Sequence, residues 1–229
     1  MSLSIPLALA AAGIVATAVL ALREARNLRA SRSTILDAVT ALLNDRQLAF
    51  DDAGFPSLTG DHQGRRIRLE LIPDTMTIRR LPQLWLSITD ICDLPIAGRG
   101  VAVLIRPSGA DYYSLTERMS QRLDVPPGFP WETLIKGESA GSQVTLDRIR
   151  STAARLFTDP RLKEIAVTAR GVRMIRQLAE GKRGDHLLLR QSAFTSAQVT
   201  PRDVTELTAG INDLRAALTD NRDGKTYAS

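Results

Sequence analysis

The chain begins with an apolar segment of bilayer-spanning length. No charged residue lies between Leu3 and Leu22. A helix of about 20 residues rises about 30 Å, which is the thickness of the hydrocarbon core of a bilayer. The pattern therefore predicts one transmembrane helix, an uncleaved anchor at residues 1–23.

Two alternatives stay open for this segment. A cleaved secretory signal would begin with basic residues, but only Met1 and Ser2 precede the apolar residues. Ala16-Thr17-Ala18 resembles a signal-peptidase site, although the apolar residues continue beyond it. The other alternative is an ordinary buried helix.

Basic residues follow the apolar segment at once. Arg23, Arg26, Arg29 and Arg32 are opposed only by Glu24. Because basic flanks stay on the cytoplasmic side of a membrane, we expect a single-pass protein of the bacterial inner membrane with its N-terminus outside. The four arginines are candidate contacts for anionic lipid headgroups, and a plain stop-transfer flank is the simpler interpretation.

The next pattern has helical spacing. An amphipathic helix is predicted from Ser31 to Arg46, because apolar residues recur there at helical intervals: Ile35, Val39, Leu42 and Leu43. Residues 24–48 are thus predicted as a basic neck with an amphipathic helix. Residues 49–220 are predicted as one soluble domain, and residues 221–229 as a frayed tail.

Alternating apolar and polar positions dominate the first half of that domain. Four segments have this pattern or a continuous apolar one, at residues 64–73, 75–80, 83–89 and 100–107. The connections between them are too short for helical crossovers, so they predict an antiparallel meander of about four strands.

The second half of the domain contains segments with helical spacing and segments with strand alternation. Helices are predicted at Ser114–Leu123 and Leu146–Phe157, and strands near 165–167, 172–178 and 186–191. A last helix is predicted with Thr200 as its cap, Pro201 at its first position and Asp203 at its third. Its buried face is predicted to be Val204, Leu207, Ile211, Leu214 and Leu218. The predicted fold class is α+β: the transmembrane helix, then one domain of mainly antiparallel sheet with packed helices.

Composition agrees with a folded domain and excludes some functions. Apolar residues make up 44% of the chain and charged residues 24%, with a net charge of +5. No basic block and few aromatic residues are present, so a nucleic-acid partner is not expected. Cys92 is the single cysteine, which excludes an intramolecular disulfide and agrees with a reducing compartment.

The sequence carries no recognisable catalytic or metal-binding motif. His62 and His186 each follow an aspartate but lie far apart, without the close spacing of zinc ligands. Cys92 has no neighbouring histidine or asparagine and is predicted to be a structural thiol. Glycine-rich stretches match no phosphate-binding loop. No catalytic residue, metal ligand or cofactor is predicted.

Two surfaces are candidates for partner contact. The first is the loop at residues 126–132, in which three prolines stiffen the backbone around Phe129 and Trp131. Such aromatic side chains insert at interfaces, or they fold back over the sheet as core. The second is a set of basic residues on the sheet faces, whose alternative is a solvated face with local ion pairs: Arg66, Arg68, Arg79, Arg170, Arg173, Arg176, Lys182, Arg183 and Arg190.

Several segments together resemble a known family. These are "PDTMTIRRLPQLWLSIT", "IRPSG", "FTDPRLKEI" and "GVRMIRQLAEGKRGDHLLLRQ". They resemble uncharacterised alphaproteobacterial proteins with an N-terminal membrane anchor and an α+β soluble domain. The resemblance implies that topology, and it brings no activity, cofactor or site residue with it.

These patterns lead to a functional expectation. We expect a membrane-anchored protein that acts by binding or as a scaffold, with its domain at the cytoplasmic membrane surface. Its expected partners are the lipid bilayer and anionic lipid headgroups or another membrane protein. Two alternatives remain, a membrane-associated enzyme with an unrecognised active site and a periplasmic domain behind the same anchor.

Overall fold

The computed structural model describes residues 4–75, 81–181, 194 and 197–219. The helices of this part are α1 (Ser4–Ser33), α2 (Asp37–Thr40), α3 (Ser142–Leu156) and α4 (Pro201–Thr219), with a 3-10 turn at Leu115–Arg118. The strands are β1 (Asn44–Phe50), β2 (Pro56–His62), β3 (Arg65–Asp74), β4 (Gln83–Ile91), β5 (Val101–Ile105), β6 (Gln121–Leu123), β7 (Thr133–Gly137), β8 (Leu162–Thr168) and β9 (Gly171–Glu180). The α+β class is confirmed.

All of these strands belong to one antiparallel sheet. Their spatial order is β1-β2-β3-β4-β9-β8-β5-β7-β6. The predicted strands at 64–73, 83–89 and 100–107 are confirmed as β3, β4 and β5. The simple meander is wrong, however, because β9 and β8 lie between β4 and β5. The strand predicted at 186–191 and most of the one at 75–80 fall outside the described residues, as does the tail at 221–229.

The two faces of the sheet are covered differently. Alternate side chains of the central strands, such as Leu86 and Ile88, join the helices in the main hydrophobic core, and we call this side the helix face. On the opposite side, the connection from β5 to β6 covers the sheet through smaller clusters around Trp85 and Ala102. We call that side the loop face.

The last helix forms as its sequence predicts. The Thr200 hydroxyl accepts the Asp203 N–H at 3.2 Å, and the Asp203 carboxylate accepts the Thr200 N–H at 2.9 Å, which together form a capping box. The five residues predicted for its buried face are all buried: Val204, Leu207, Ile211, Leu214 and Leu218. Helix α3 also lies where apolar spacing predicts a helix, although it begins four residues earlier, at Ser142.

The predicted transmembrane helix is wrong. Among the described residues, no helix is long and apolar enough to cross a membrane. The apolar segment belongs to α1, which continues to Ser33 and includes Arg23, Glu24, Arg26 and Arg29. Charged side chains are costly in hydrocarbon, and these lie within the same continuous helix. The predicted single-pass location in the inner membrane, with the N-terminus outside, is therefore also wrong.

The predicted neck helix is much shorter than expected. Helix α1 ends at Ser33, α2 is a separate single turn, and Asn44 already begins β1. Ile35, Val39 and Leu43 are buried in the core as their spacing suggests. A turn between α1 and α2, and not a continuous helix, brings these residues into the core. The turn is held by hydrogen bonds such as that from the Ile35 N–H to the Arg32 carbonyl.

Candidate functional site

A polar cleft of about 200 Å³ lies on the loop face. Strands β3, β4, β8 and β9 and the residues that follow β5 supply its walls. We call it the Lys163 cleft, and its lining residues are Asp74, Gln83, Trp85, Arg106, Ser108, Asp111, Lys163 and Gln177.

A bulge in β8 accounts for the position of Lys163. Leu162 pairs with Arg176 and Glu164 pairs with Ile175, so Lys163 is an extra residue without a partner in the ladder. Bulges re-aim a side chain and occur often beside functional sites. The Lys163 side chain is 5% exposed, and its ammonium is 3.1 Å from Asp111 Oδ1. The cleft thus contains a buried ion pair.

Arg106 helps to hold this lysine through its backbone. It follows β5 with a φ of 50°, in the left-handed region that residues with a Cβ rarely adopt. Its N–H donates to the Glu132 carbonyl at 2.6 Å, and its carbonyl accepts the Lys163 ammonium at 2.7 Å. Strained backbone of this kind concentrates at functional sites, where the surrounding contacts maintain it.

Asp111 is fixed in its ionised form. Burial by itself raises the pKa of this carboxyl, but the Ser108 N–H, which donates to Oδ2 at 2.6 Å, and the Lys163 ammonium together lower the pKa below its ordinary value. The Tyr113 hydroxyl donates to Asp111 Oδ1 at 3.2 Å. Burial, and then the negative charge of Asp111, raise the pKa of Tyr113, which therefore stays protonated.

Trp85 forms part of the floor of the cleft. It is 7% exposed, lies 5.9 Å from the Tyr113 ring between centroids, and has the Lys163 ammonium 5.7 Å from its own ring centre. Its indole N–H is buried and has no acceptor among the residues that the structure describes. A buried donor without an acceptor costs about 1–3 kcal/mol of stability. The indole N–H of Trp85 would regain this free energy from an ordered water or a ligand atom that accepted its hydrogen bond.

The four arginines predicted to contact lipid lie along α1. Arg23 and Arg26 are exposed. Arg29 donates to the Asp52 carbonyl at 2.6 Å, and Arg32 donates to the Ala53 carbonyl at 2.9 Å. These two therefore attach the end of α1 to the β1–β2 turn, whereas a headgroup contact by any of the four stays a prediction.

The two aromatic residues of the 126–132 loop are in different environments. Phe129 is half-buried and packs against Phe157, with 6.1 Å between ring centroids. Trp131 is 90% exposed. The fold-back alternative thus holds for Phe129 only, and partner contact through Trp131 stays a prediction.

The arginines of the sheet do not form a continuous basic surface. Arg176 is buried on the helix face and pairs with Asp203 at 2.5 Å and Glu206 at 2.8 Å. Arg173 pairs with the buried Glu164 at 2.5 Å. Arg66 and Arg68 pair with Asp61 at 3.3 Å and Glu70 at 3.8 Å, whereas Arg170 is exposed. The other candidates of this set lie outside the described residues: Arg79, Lys182, Arg183 and Arg190.

The predicted candidates for chemistry that lie among the described residues do not form a site. His62 ends β2 with its Nδ1 3.1 Å from the Leu42 carbonyl, and His186 lies outside the described residues. Within the described ranges, no group of three or more His, Cys, Asp or Glu residues is placed to hold a metal ion. Burial, and next the charge of Asp90, raise the pKa of the Cys92 thiol, which agrees with a structural role.

A larger groove lies elsewhere, between α3 and α4. It has a volume of about 750 Å³ and includes Arg148, Arg150 and Arg155, all exposed. Arg155 pairs with Asp213 at 2.8 Å, and Arg148 donates to the Leu218 carbonyl at 3.2 Å. It offers no buried polar group, among the described residues, that lacks a partner. The smaller Lys163 cleft is therefore the better candidate.

Sequence reasoning missed the residues of this cleft. Trp85 and Arg106 were assigned only to strand segments, and Lys163 and Asp111 to no site at all. One signal was present, since Lys163 and Glu164 interrupt an apolar strand sequence, "LKEIAV". Buried charges in such a strand need partners, and these come from distant parts of the chain.

Comparison with known proteins gives no further identification. No protein-family model matches the chain, and no curated protein is significantly similar to it.

Proposed function

We propose that this protein is a binding protein, and that the Lys163 cleft takes up a small polar molecule. The observation that carries the proposal is the polar cleft itself, which is built around the buried Lys163–Asp111 ion pair and is lined by Trp85, whose buried indole N–H has no acceptor among the described residues. Binding sites place a few polar groups in a concave surface that already exists before the ligand arrives, and the cleft has this form.

The same geometry favours binding over acid–base catalysis. A catalytic acid or base must exchange a proton near the working pH. Asp111 has a lowered pKa and Tyr113 a raised pKa, so neither changes its charge near neutrality. The Lys163 ammonium donates both to Asp111 and to the Arg106 carbonyl. Asp111 and Tyr113 therefore keep their charge states near neutral pH, which suits recognition.

The proposal can be tested with the indole N–H groups of the full chain. The protein has two tryptophans, so a ¹H–¹⁵N spectrum should show two indole signals, which Trp131→Phe would assign. Three probes of equal size but different charge would be titrated: propionate, propionamide and propylammonium.

The expected result is a saturable shift of the Trp85 signal with at least one probe. Trp131 is the internal control, because its exposed ring should respond only to non-specific effects. A Trp85 signal that does not move with any probe, or that moves in parallel with Trp131, would overturn the proposed function.

A further inference from the structure

We propose that β1 pairs along its outer edge with β1 of a second copy of this chain, so that two sheets join in a symmetric dimer. This inference goes beyond the Lys163 cleft and does not depend on it. It follows from the place of β1 in the sheet, from the side chains that β1 exposes, and from the way these match their own copies across a two-fold axis.

Strand β1 is an edge strand with an open outer side. In the described part of the chain it has one neighbour, β2, and all seven of its residues are exposed. Such an edge presents a row of backbone N–H and C=O groups with which a further strand can pair. The other edge of the sheet is β6, which has three residues and therefore offers a much shorter row.

Apolar side chains continue onto this edge without cover. Leu48 pairs with Leu58, which belongs to the core of the helix face. Phe50, two residues further on, pairs with Pro56. Both partners in β2 are buried, but Leu48 is 48% exposed and Phe50 is 52% exposed. The apolar layer of the helix face thus reaches β1, where much of its surface is still in contact with water.

The features that normally protect an edge are confined to one end of β1. The register shifts after Asn44, where Asp45 and Arg46 form a bulge. Bulges and charged residues discourage the addition of a strand. From Gln47 to Phe50 the ladder is regular, and these four residues, "QLAF", include no charge and no proline. This segment is therefore the part of the edge that is open to pairing.

A second copy of β1 fits this segment with Ala49 at the two-fold axis. Antiparallel pairing about an axis perpendicular to the sheet keeps the helix faces of both copies on the same side. Leu48 then lies opposite Phe50 of the second copy, and Phe50 lies opposite Leu48 of the second copy. These are two apolar cross-strand pairs, which stabilise a sheet.

Charge favours the same register. In it, Arg46 lies opposite Asp52 of the second copy, and both side chains are exposed and outside any ion pair among the described residues. With the axis at residue 48, Phe50 would lie opposite Arg46. With the axis at residue 50, Leu48 would lie opposite Asp52. Neither alternative forms both the apolar pairs and the ion pairs, so the edge is complementary to itself in one register.

The first test is a crosslink that reads this register. Cys92 is the single cysteine, so Cys92→Ser in the full chain gives a background for one new cysteine. Ala49→Cys should form a disulfide-linked dimer on mild oxidation, because directly opposite residues have Cα atoms about 4.5–5.5 Å apart. Gln47→Cys is the matched control, since it is exposed on the same face of β1 but lies opposite residue 51 of the second copy. Crosslinking of neither variant, or of both equally, would overturn the proposal.

The second test is sedimentation equilibrium of the full chain over a range of concentrations. One short strand buries less than the about 1,200 Å² of a standard interface, so we expect a dimer that dissociates on dilution. Leu48→Lys should raise the dimer Kd about tenfold or more, because it puts a charge into each apolar pair. Val144→Lys, at a residue of α3 that is 46% exposed, is the control and should leave the Kd unchanged.

A charge exchange completes this test. Arg46→Glu should weaken the dimer, and Arg46→Glu/Asp52→Arg should restore it, because the ion pairs then form with their signs reversed. A wild type that stays monomeric at every concentration, or a dimer that Leu48→Lys does not weaken, would overturn the proposal. A double variant as weak as Arg46→Glu alone would exclude the register with Ala49 at the axis.

Discussion

The two faces of the central sheet are stabilised by different kinds of interaction. On the helix face, apolar side chains such as Leu86 and Ile88 pack under α3 and α4 and exclude water. On the loop face, the β5–β6 connection is attached through the Lys163–Asp111 ion pair and the Trp85–Tyr113 contact. Apolar packing stabilises a fold without direction, whereas buried charges contribute mainly a defined geometry. The helix face therefore provides most of the apolar packing, and the loop face holds the proposed binding cleft.

The largest expected effect tests the helix face. Ile88 is fully buried there, and Ile88→Ala should lower the free energy of unfolding by about 4 kcal/mol, since it removes buried methyl groups and leaves a cavity. Urea denaturation would measure the change. Thr89→Ala is the control, because Thr89 is the next residue of β4, points to the loop face and is half-buried. Its effect should stay below about 1 kcal/mol, and similar losses in both variants would refute the contrast between the faces.

A smaller effect is expected from the ion pair of the loop face. Lys163→Met should destabilise the protein by about 3 kcal/mol, because the buried Asp111 loses its neutralising charge. The double variant Lys163→Met/Asp111→Asn should recover much of that loss, since no uncompensated charge remains. The same urea experiment would measure both. A double variant that is as unstable as the sum of the single variants would show that the pair matters for more than its charge.

The smallest expected effect is a loss of stability at acidic pH, and it arises from Glu206 on the helix face. Hydrogen bonds from Arg176, and next from Arg202, lower the pKa of Glu206 to about 2 from an ordinary 4.5. A lowered pKa in the folded state gives stability that is present above the ordinary pKa and is lost as the pH falls from about 4.5 towards 2. The side chain is partly exposed, so the contribution should stay below about 1 kcal/mol.

Glu206→Gln provides the comparison for this effect. The wild type should be more stable than the variant at neutral pH, and the difference should shrink as the pH falls through that window. Urea unfolding at several pH values would follow it. A difference that does not change with pH would mean that Glu206 acts through packing instead of charge.

Much of the local structure could be predicted from the sequence. Alternation predicts β3 and β4 within two residues at each end, and the Thr200–Asp203 capping box marks the start of α4. These predictions succeed because side-chain period and helix capping depend on neighbouring residues alone. The apolar length of residues 3–22 was a weaker guide. Length and hydropathy indicated a membrane span, but the continuous helix extends into charged residues.

The site could not be predicted in the same way. Lys163 and Asp111 are 52 positions apart and meet only because the β5–β6 connection crosses the loop face. Trp85 belongs to β4, and Arg106 follows β5, which is not a neighbour of β4 in the sheet. No local pattern specifies that strand order.

By itself, the sequence determined where β3, β4, β5 and α4 form and which of their side chains share a face, because these properties depend on a few adjacent residues. Only the tertiary structure decided the strand order, the bulge that turns Lys163 towards the loop face and the burial of the charges around it. Those features depend on contacts between distant segments, whose free energy is realised only when the whole sheet has assembled.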